Sequence, residues 1–244
     1  IIPSYGIGHS EAQWFVRGVP NVKKAFAKVW GTNDLLTSFD GVSLWRPWNI
    51  DPSWKTQSGQ AWFHIDQHPI SKPGKQCIQG LINLLPTSKE IGGNVVIPKS
   101  HNFFKDLPQE YKERVERLPL DIDHFRFPHD DPKLSSEPAV MAHMEPGDML
   151  LWDSRTIHCS SSGSSLPEGT NDLIRAASLI CMMPKKLSSK EILDKRIHAA
   201  ENLVSTTNWT NDFRNADEFP IILEAENRDQ YKWPKKPNLS DYQK

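Results

Sequence analysis

Apolar and polar positions along the chain change their period several times, and the changes mark out elements. Residues 11–30 carry Trp14, Phe15, Val16, Val19, Val22, Phe26 and Val29 at helical spacing, interrupted by Gly18 and Pro20. That pattern predicts a short helix followed by a better one, with Ser10 placed to cap the first. Residues 35–45 alternate as a strand would, with Asp40-Gly41 as a bulge or bend and Pro47 as its end. Apolar runs of strand length recur at 62–66, 76–85, 94–98, 149–152 and 173–183. Turn residues separate them, among them Glu145-Pro146-Gly147-Asp148. Residues 103–118 are charged and amphipathic and predict a helix, and a second helix starts at a Ser188 cap and runs to about Val204. Residues 121–136, rich in Pro, Asp and His, predict an excursion loop, and the Ser/Gly-rich residues 160–170 a surface loop.

Short strands between turn signals, with helices mainly before and after them, predict an all-β core: a double-stranded β-helix, or jelly roll, with flanking α-helices. No repeat or linker divides the 244 residues. We expect one domain with a helical part at 1–34, the β-helix core at 35–183, and a C-terminal helix and tail at 184–244.

Within the run Trp62-Phe63-His64-Ile65-Asp66, alternation sends His64 and Asp66 to one face and Phe63 and Ile65 to the other. Two histidines and one carboxylate on one face of an octahedron are a common way to hold Fe(II) with positions left open. Two of those three ligands stand here, although an isolated His-X-Asp is more often a surface ion pair. A third ligand has to come from another strand. Gly147-Asp148-Met149-Leu150-Leu151-Trp152 leads to His158, 94 residues beyond His64. His124, His129 and His101 read as solvated or turn residues, and Asp153 and Arg155 as braces of the His158 loop.

Arg175 lies 17 residues past His158 inside the apolar run 173–180. A buried guanidinium needs an anionic partner, since an uncompensated buried charge costs several kcal/mol. An acid of the protein would serve, and so would a dicarboxylate ligand held by the planar fork of the arginine. Trp45, Trp48, Trp54 and Trp62 crowd around a polar stretch at 50–59, where they either pack beneath a loop or line a pocket.

Charge and cysteine content narrow the function classes. Lysine plus arginine total 29 against 30 acids, a net charge of −1, so nothing favours nucleic acid or an anionic membrane surface as a partner over a small molecule. No apolar run approaches the roughly 18–20 residues that span a bilayer. Cys77, Cys159 and Cys181 are odd in number and widely spaced, which makes a reducing, intracellular (cytoplasmic) setting the default.

His64-X-Asp66, Gly92-Gly93 followed by Val96-Ile97-Pro98-Lys99-Ser100-His101, the later His158 and the strand arginine occur in an order that resembles the phytanoyl-CoA dioxygenase family of Fe(II)- and 2-oxoglutarate-dependent oxygenases. The resemblance runs from about Leu35 to Met183. It implies iron at His64, Asp66 and His158, with Arg175 on the far carboxylate of 2-oxoglutarate. It also implies Ser160, in the family's His-X-Ser, and Gln79 and Asn83, four apart on the next strand, as further contacts to the cosubstrate. Arg46, Trp48 and Trp62 are the candidates for the substrate side, and Phe219-Pro220 and the Asn208-Trp209 segment for a lid. The implied reaction uses O2 and 2-oxoglutarate to hydroxylate a small organic molecule, with release of succinate and CO2. Related enzymes that transfer chloride lack the carboxylate that Asp66 supplies, which favours hydroxylation. Two rivals are a non-catalytic, cupin-like metal- or ligand-binding β-helix protein and a zinc hydrolase. Family membership does not choose the substrate.

Overall fold

The structure is a computed structural model that describes residues 1–55, 62–216 and 235. Phe219-Pro220 and, apart from residue 235, the tail from Asn227 lie outside the described residues. In chain order the elements are α1 (Glu11–Arg17), α2 (Pro20–Trp30), β1 (Leu35–Thr37), β2 (Val42–Trp45), β3 (His64–Asp66), β4 (Ile78–Asn83) and β5 (Gly92–Val96). There follow α3 (Leu107–Glu110), α4 (Lys112–Glu116), β6 (His124–Arg126), β7 (Val140–Met141), β8 (Met149–Asp153), β9 (His158–Ser162), β10 (Arg175–Pro184) and α5 (Lys190–Asn202). The core is all-β and antiparallel with short helices at its flanks, the jelly-roll class that the strand spacing predicts.

The chain divides into two units: Ile1–Leu44 with Gln79–Leu84 and Ala176–Lys244, and Trp45–Ile78 with Leu85–Arg175. In the first unit Ser10 caps α1 as expected, its hydroxyl accepting from the Gln13 backbone N–H. Pro20 opens α2, and Gly31 closes it in the left-handed conformation (φ 68°) that suits glycine. β10 pairs with β1 in the register Leu36↔Met183 and with β4 in the register Leu179↔Leu81. Trp14, Phe39 and Ala199 form an apolar cluster there. The cap of α5 is Ser189 rather than Ser188, its hydroxyl accepting from Ile192 N–H.

In the second unit the strand order is β6-β3-β9-β5-β7. Beneath this sheet Phe63, Ile65, Ile97, Phe125, Phe127 and Cys159 pack with Phe104, Leu107 and Val115. Gly92 (φ 98°) and Gly163 permit close backbone approach at one end of the sheet. A Cβ on Gly92 would meet Ser161 O at 2.2 Å, and one on Gly163 would meet Glu90 O at 1.7 Å.

Four local expectations are corrected. The predicted helix at 103–118 is a 3-10 segment (Ser100–Asp106) followed by α3 and α4, because Pro108 suits only the first turn of a helix. The excursion at 121–136 contains β6, held by its pairing to β3. The segment that starts at Ser160 continues β9 to Ser162 before it turns. The apolar run 149–152 predicts a buried strand, but β8 is half-buried throughout. All three cysteines are free and buried, and among the described residues no helix is long and apolar enough to cross a membrane.

Candidate metal centre

β3 supplies two polar groups because its alternation is strict. Phe63 and Ile65 point into the apolar cluster, so His64 and Asp66 leave the opposite face. Antiparallel registers bring two more histidines to that face. His64 stands opposite His158 on β9, and Asp66 stands opposite His124 on β6. The carboxylate of Asp66 lies at the centre. Its Oδ1 is 3.4 Å from His64 Nε2 and 3.6 Å from His124 Nδ1, and its Oδ2 is 3.2 Å from His158 Nε2. The His64 ring lies 4.4 Å from the rings of both His124 and His158, centroid to centroid.

Backbone carbonyls decide which ring nitrogens face inward. His64 Nδ1 is 3.0 Å from Trp62 O, and His158 Nδ1 is 2.9 Å from Thr156 O. A carbonyl only accepts, so each Nδ1 carries a hydrogen and Nε2 is the ring atom that faces Asp66. When deprotonated, the two Nε2 atoms together with the carboxylate offer three donors on one sheet face. This donor set therefore fits a divalent metal, and the carbonyl-anchored Nδ1–H is the usual support of a ligating histidine. His64, Asp66 and His124 also form a cluster with potential ligand atoms within 4.8 Å of one another.

Electrostatics agree with that reading. Burial pushes the His64 imidazolium toward losing its proton; Asp66 opposes this, and the charges of His158 and His124 add to it. Burial alone would raise the Asp66 carboxyl, but the charge of His64 and hydrogen bonds from His124, His158 and His64 outweigh it and hold the group well below the usual carboxylate range. The centre favours an ionised carboxylate beside a neutral His64, the protonation states that a metal requires.

The same unit holds polar atoms without hydrogen-bond partners among the described residues. Arg175 is 2% exposed, and its Nε and Nη1 have no hydrogen-bond partner among the described residues. Its guanidinium stacks 4.5 Å above the Trp45 ring, and burial lowers its pKa to about 10. Among the described residues no acid pairs with it. On β9, Ser160 and Ser162 share the face of His158 by alternation, and Asn94 on β5 stands opposite Ser160. Asn94 Oδ1, Ser162 Oγ and Trp152 Nε1 are buried with no hydrogen-bond partner among the described residues. The Trp152 ring lies 5.5 Å from that of His158.

The other expected residues divide. Trp62 stacks on the His64 ring at 4.3 Å and 8°, so it supports a metal-facing histidine directly. Trp48 packs with Trp45 and Ile174, and the Arg46 guanidinium lies 4.1 Å above Trp54. Gln79 and Asn83 belong to the other unit, where both are buried on β4 and share a face as their spacing predicts. Asp153 and Arg155 form the expected brace, with Arg155 Nη2 2.7 Å from Asp153 Oδ2. Read as solvated, His124 proves half-exposed but also faces Asp66. Asn94, Ser162 and Trp152 were not anticipated; the i, i+2, i+4 series His158, Ser160, Ser162 was the available signal for one of them.

Residues 20–166 match the family described as Phytanoyl-CoA dioxygenase (PhyH). The chain belongs to that family. The match includes His64, Asp66, His124 and His158, and Arg175 follows it. The cofactors of the family, Fe(II), 2-oxoglutarate and O2, are those expected from the motif order. "Ava biosynthesis cluster protein O" of Aspergillus versicolor is 33% identical over 211 residues, covering 83% of this chain and 64% of the relative. "Putative phytanoyl-CoA dioxygenase" of Dictyostelium discoideum is 22% identical over 225 residues, covering 80% of this chain and 60% of the relative. The chain thus spans less than two thirds of the length of either relative. Among solved structures, the epimerase SnoN in complex with Fe3+, alpha ketoglutarate and nogalamycin RO aligns at a TM-score of 0.43 and 15% identity, over 71% of this chain and 61% of that one. That likeness carries no information about the substrate of the PhyH chain described here.

Proposed function

We propose that the chain is an Fe(II)- and 2-oxoglutarate-dependent oxygenase that hydroxylates a small organic substrate. The observation that carries the reading is the convergence of His64 Nε2, Asp66 and His158 Nε2 in one unit with a buried arginine that has no acid partner among the described residues. Iron and 2-oxoglutarate, when bound, supply an oxidation in which 2-oxoglutarate, O2 and a substrate C–H become succinate, CO2 and a C–OH.

The protein's own groups hold and orient. The two Nε2 atoms and the Asp66 carboxylate would ligate the metal, with the Nδ1–H bonds to Trp62 O and Thr156 O fixing the ring planes. Arg175 would bind the far carboxylate of 2-oxoglutarate through parallel N–H donors, a geometry that orients as well as neutralises. Ser160, Gln79 and Asn83 are assigned to the same cosubstrate by the family pattern. Arg46, Trp48 and Trp62 are assigned to the substrate side, with Trp62 also buttressing His64. As a ligand, Asp66 would take the position that a halide needs, which supports hydroxylation over chlorination.

Incubating the protein with Fe(II), 2-oxoglutarate and O2 tests the reading: succinate should form, and more of it once a substrate is supplied. A cupin-like binding protein would hold metal and release none. A zinc hydrolase would prefer Zn(II) and ignore 2-oxoglutarate. Either result would overturn the proposal.

A further inference from the structure

The centre holds one histidine more than an iron triad needs. His124 lies on β6, a three-residue strand at the edge of its sheet, with its side chain 45% exposed. Its ring lies 4.4 Å from that of His64, tilted by 39°, and 6.0 Å from Trp62. Among the described residues Asp66 is the only polar partner of that side chain, and no backbone carbonyl anchors either ring nitrogen. His64 and His158 differ on both counts, being about 5% exposed and tied by Nδ1 to carbonyls. Two histidines are thus fixed, and a third, on an edge strand, faces the same carboxylate without an anchor.

We infer that His124 is a fourth, exchangeable protein donor to the metal, one that occupies the centre in the absence of 2-oxoglutarate and gives way when it binds. The inference rests on the metal centre proposed above. Coordination number supplies the physical reason. Three fixed donors and a two-point cosubstrate leave one octahedral position for O2, whereas four protein donors and the cosubstrate would leave none. A donor that is needed only before the cosubstrate arrives must be able to leave. The half-exposed ring on a short edge strand has the freedom to do so that the buried, carbonyl-tied rings lack. The device would keep the metal enclosed by protein until 2-oxoglutarate is present.

Binding of Mn(II) to the metal-free full chain tests this without turnover. It is followed by the electron paramagnetic resonance signal of free Mn(II), with and without saturating 2-oxoglutarate. His124→Ala should weaken Mn(II) binding roughly tenfold or more without 2-oxoglutarate, within the range that supporting groups of a metal site contribute, and leave it unchanged with 2-oxoglutarate. His158→Ala should weaken it in both conditions. His124→Gln, which keeps a polar side chain of similar reach, serves if the alanine variant unfolds. A Cu(II) spectrum should show three coupled imidazole nitrogens alone and two after 2-oxoglutarate is added. Unchanged Mn(II) affinity in His124→Ala overturns the inference and leaves the triad intact. An equal loss in both conditions overturns it too, by making His124 a permanent ligand. If His158→Ala then binds normally, the assignment of His158 fails with it. Failure of the wild type to bind any metal overturns the centre itself.

Discussion

Gln13 and Arg175 are both buried polar side chains, each 1–2% exposed, in different units of the chain. The amide of Gln13 donates to Asp40 O at 2.8 Å and Gly41 O at 2.7 Å, and its oxygen accepts from the Ser178 hydroxyl. Every part of that amide ties one segment of the first unit to another. Arg175 has an aromatic face beneath it and, among the described residues, no oxygen for its Nε or Nη1. Asn94 Oδ1 and Ser162 Oγ in the same unit share that condition. Native interiors leave few buried polar groups unpaired, because each costs about 1–3 kcal/mol. The contrast separates a buried polar residue whose hydrogen bonds tie the fold together from one that makes none through Nε or Nη1; buried atoms without a partner among the described residues occur in both units, Arg17 Nε and Arg196 Nη1 in the first among them.

Substitutions can break this contrast. The largest effect belongs to the fixed ligands: His64→Ala or His158→Ala should abolish stoichiometric iron binding, measured as metal content of the purified variants. Normal iron content in either would remove that residue from the centre. Next comes Arg175→Leu, which should fold and keep its metal while its affinity for 2-oxoglutarate falls by about two to three and a half orders of magnitude, the equivalent of roughly 3–5 kcal/mol for a desolvated ion pair. An unchanged affinity in a calorimetric titration would mean that another group holds the carboxylate.

The remaining two predictions sharpen the comparison with smaller effects. Gln13→Ala should lower unfolding free energy in denaturant titration by about 1–3 kcal/mol and leave metal and 2-oxoglutarate binding untouched, because it strands the Ser178 hydroxyl and two carbonyls. Ser162→Ala should leave stability unchanged or raise it by up to about 1 kcal/mol, since it deletes a hydroxyl that has no partner. A marked destabilisation would show that Ser162 serves the fold after all.

How much of this could be read from the sequence depended on whether a feature was local. Period-two alternation made the shared face of His64 and Asp66 legible, and the capping chemistry of Ser10 needed only the next few residues. The link from His64 to His158 is a cross-strand contact between residues 94 apart, and only the order of motifs pointed to it. β6 was hidden because three residues are too few to display a period, and its conformation comes from hydrogen bonds to β3. The proximity of His124 to Asp66 was hidden for the same reason, since a histidine in a Pro- and Asp-rich stretch carries no sign that a strand presents it to Asp66. Asn94 was overlooked because an asparagine in a strand stands out only when its missing partners can be counted.

The central claim is that one sheet face in the second unit holds a metal on which 2-oxoglutarate is anchored by Arg175. The most direct measurement is the visible absorption of the Fe(II)-loaded protein, kept free of oxygen, as 2-oxoglutarate is added. A ketoacid bound to Fe(II) through its carboxylate and keto oxygens gives a charge-transfer band. The account predicts that the band appears in the wild type, requires a much higher 2-oxoglutarate concentration in Arg175→Leu, and is absent in His64→Ala. A wild type that binds Fe(II) and 2-oxoglutarate yet shows no band, or an Arg175→Leu titration that superimposes on the wild type, would contradict it.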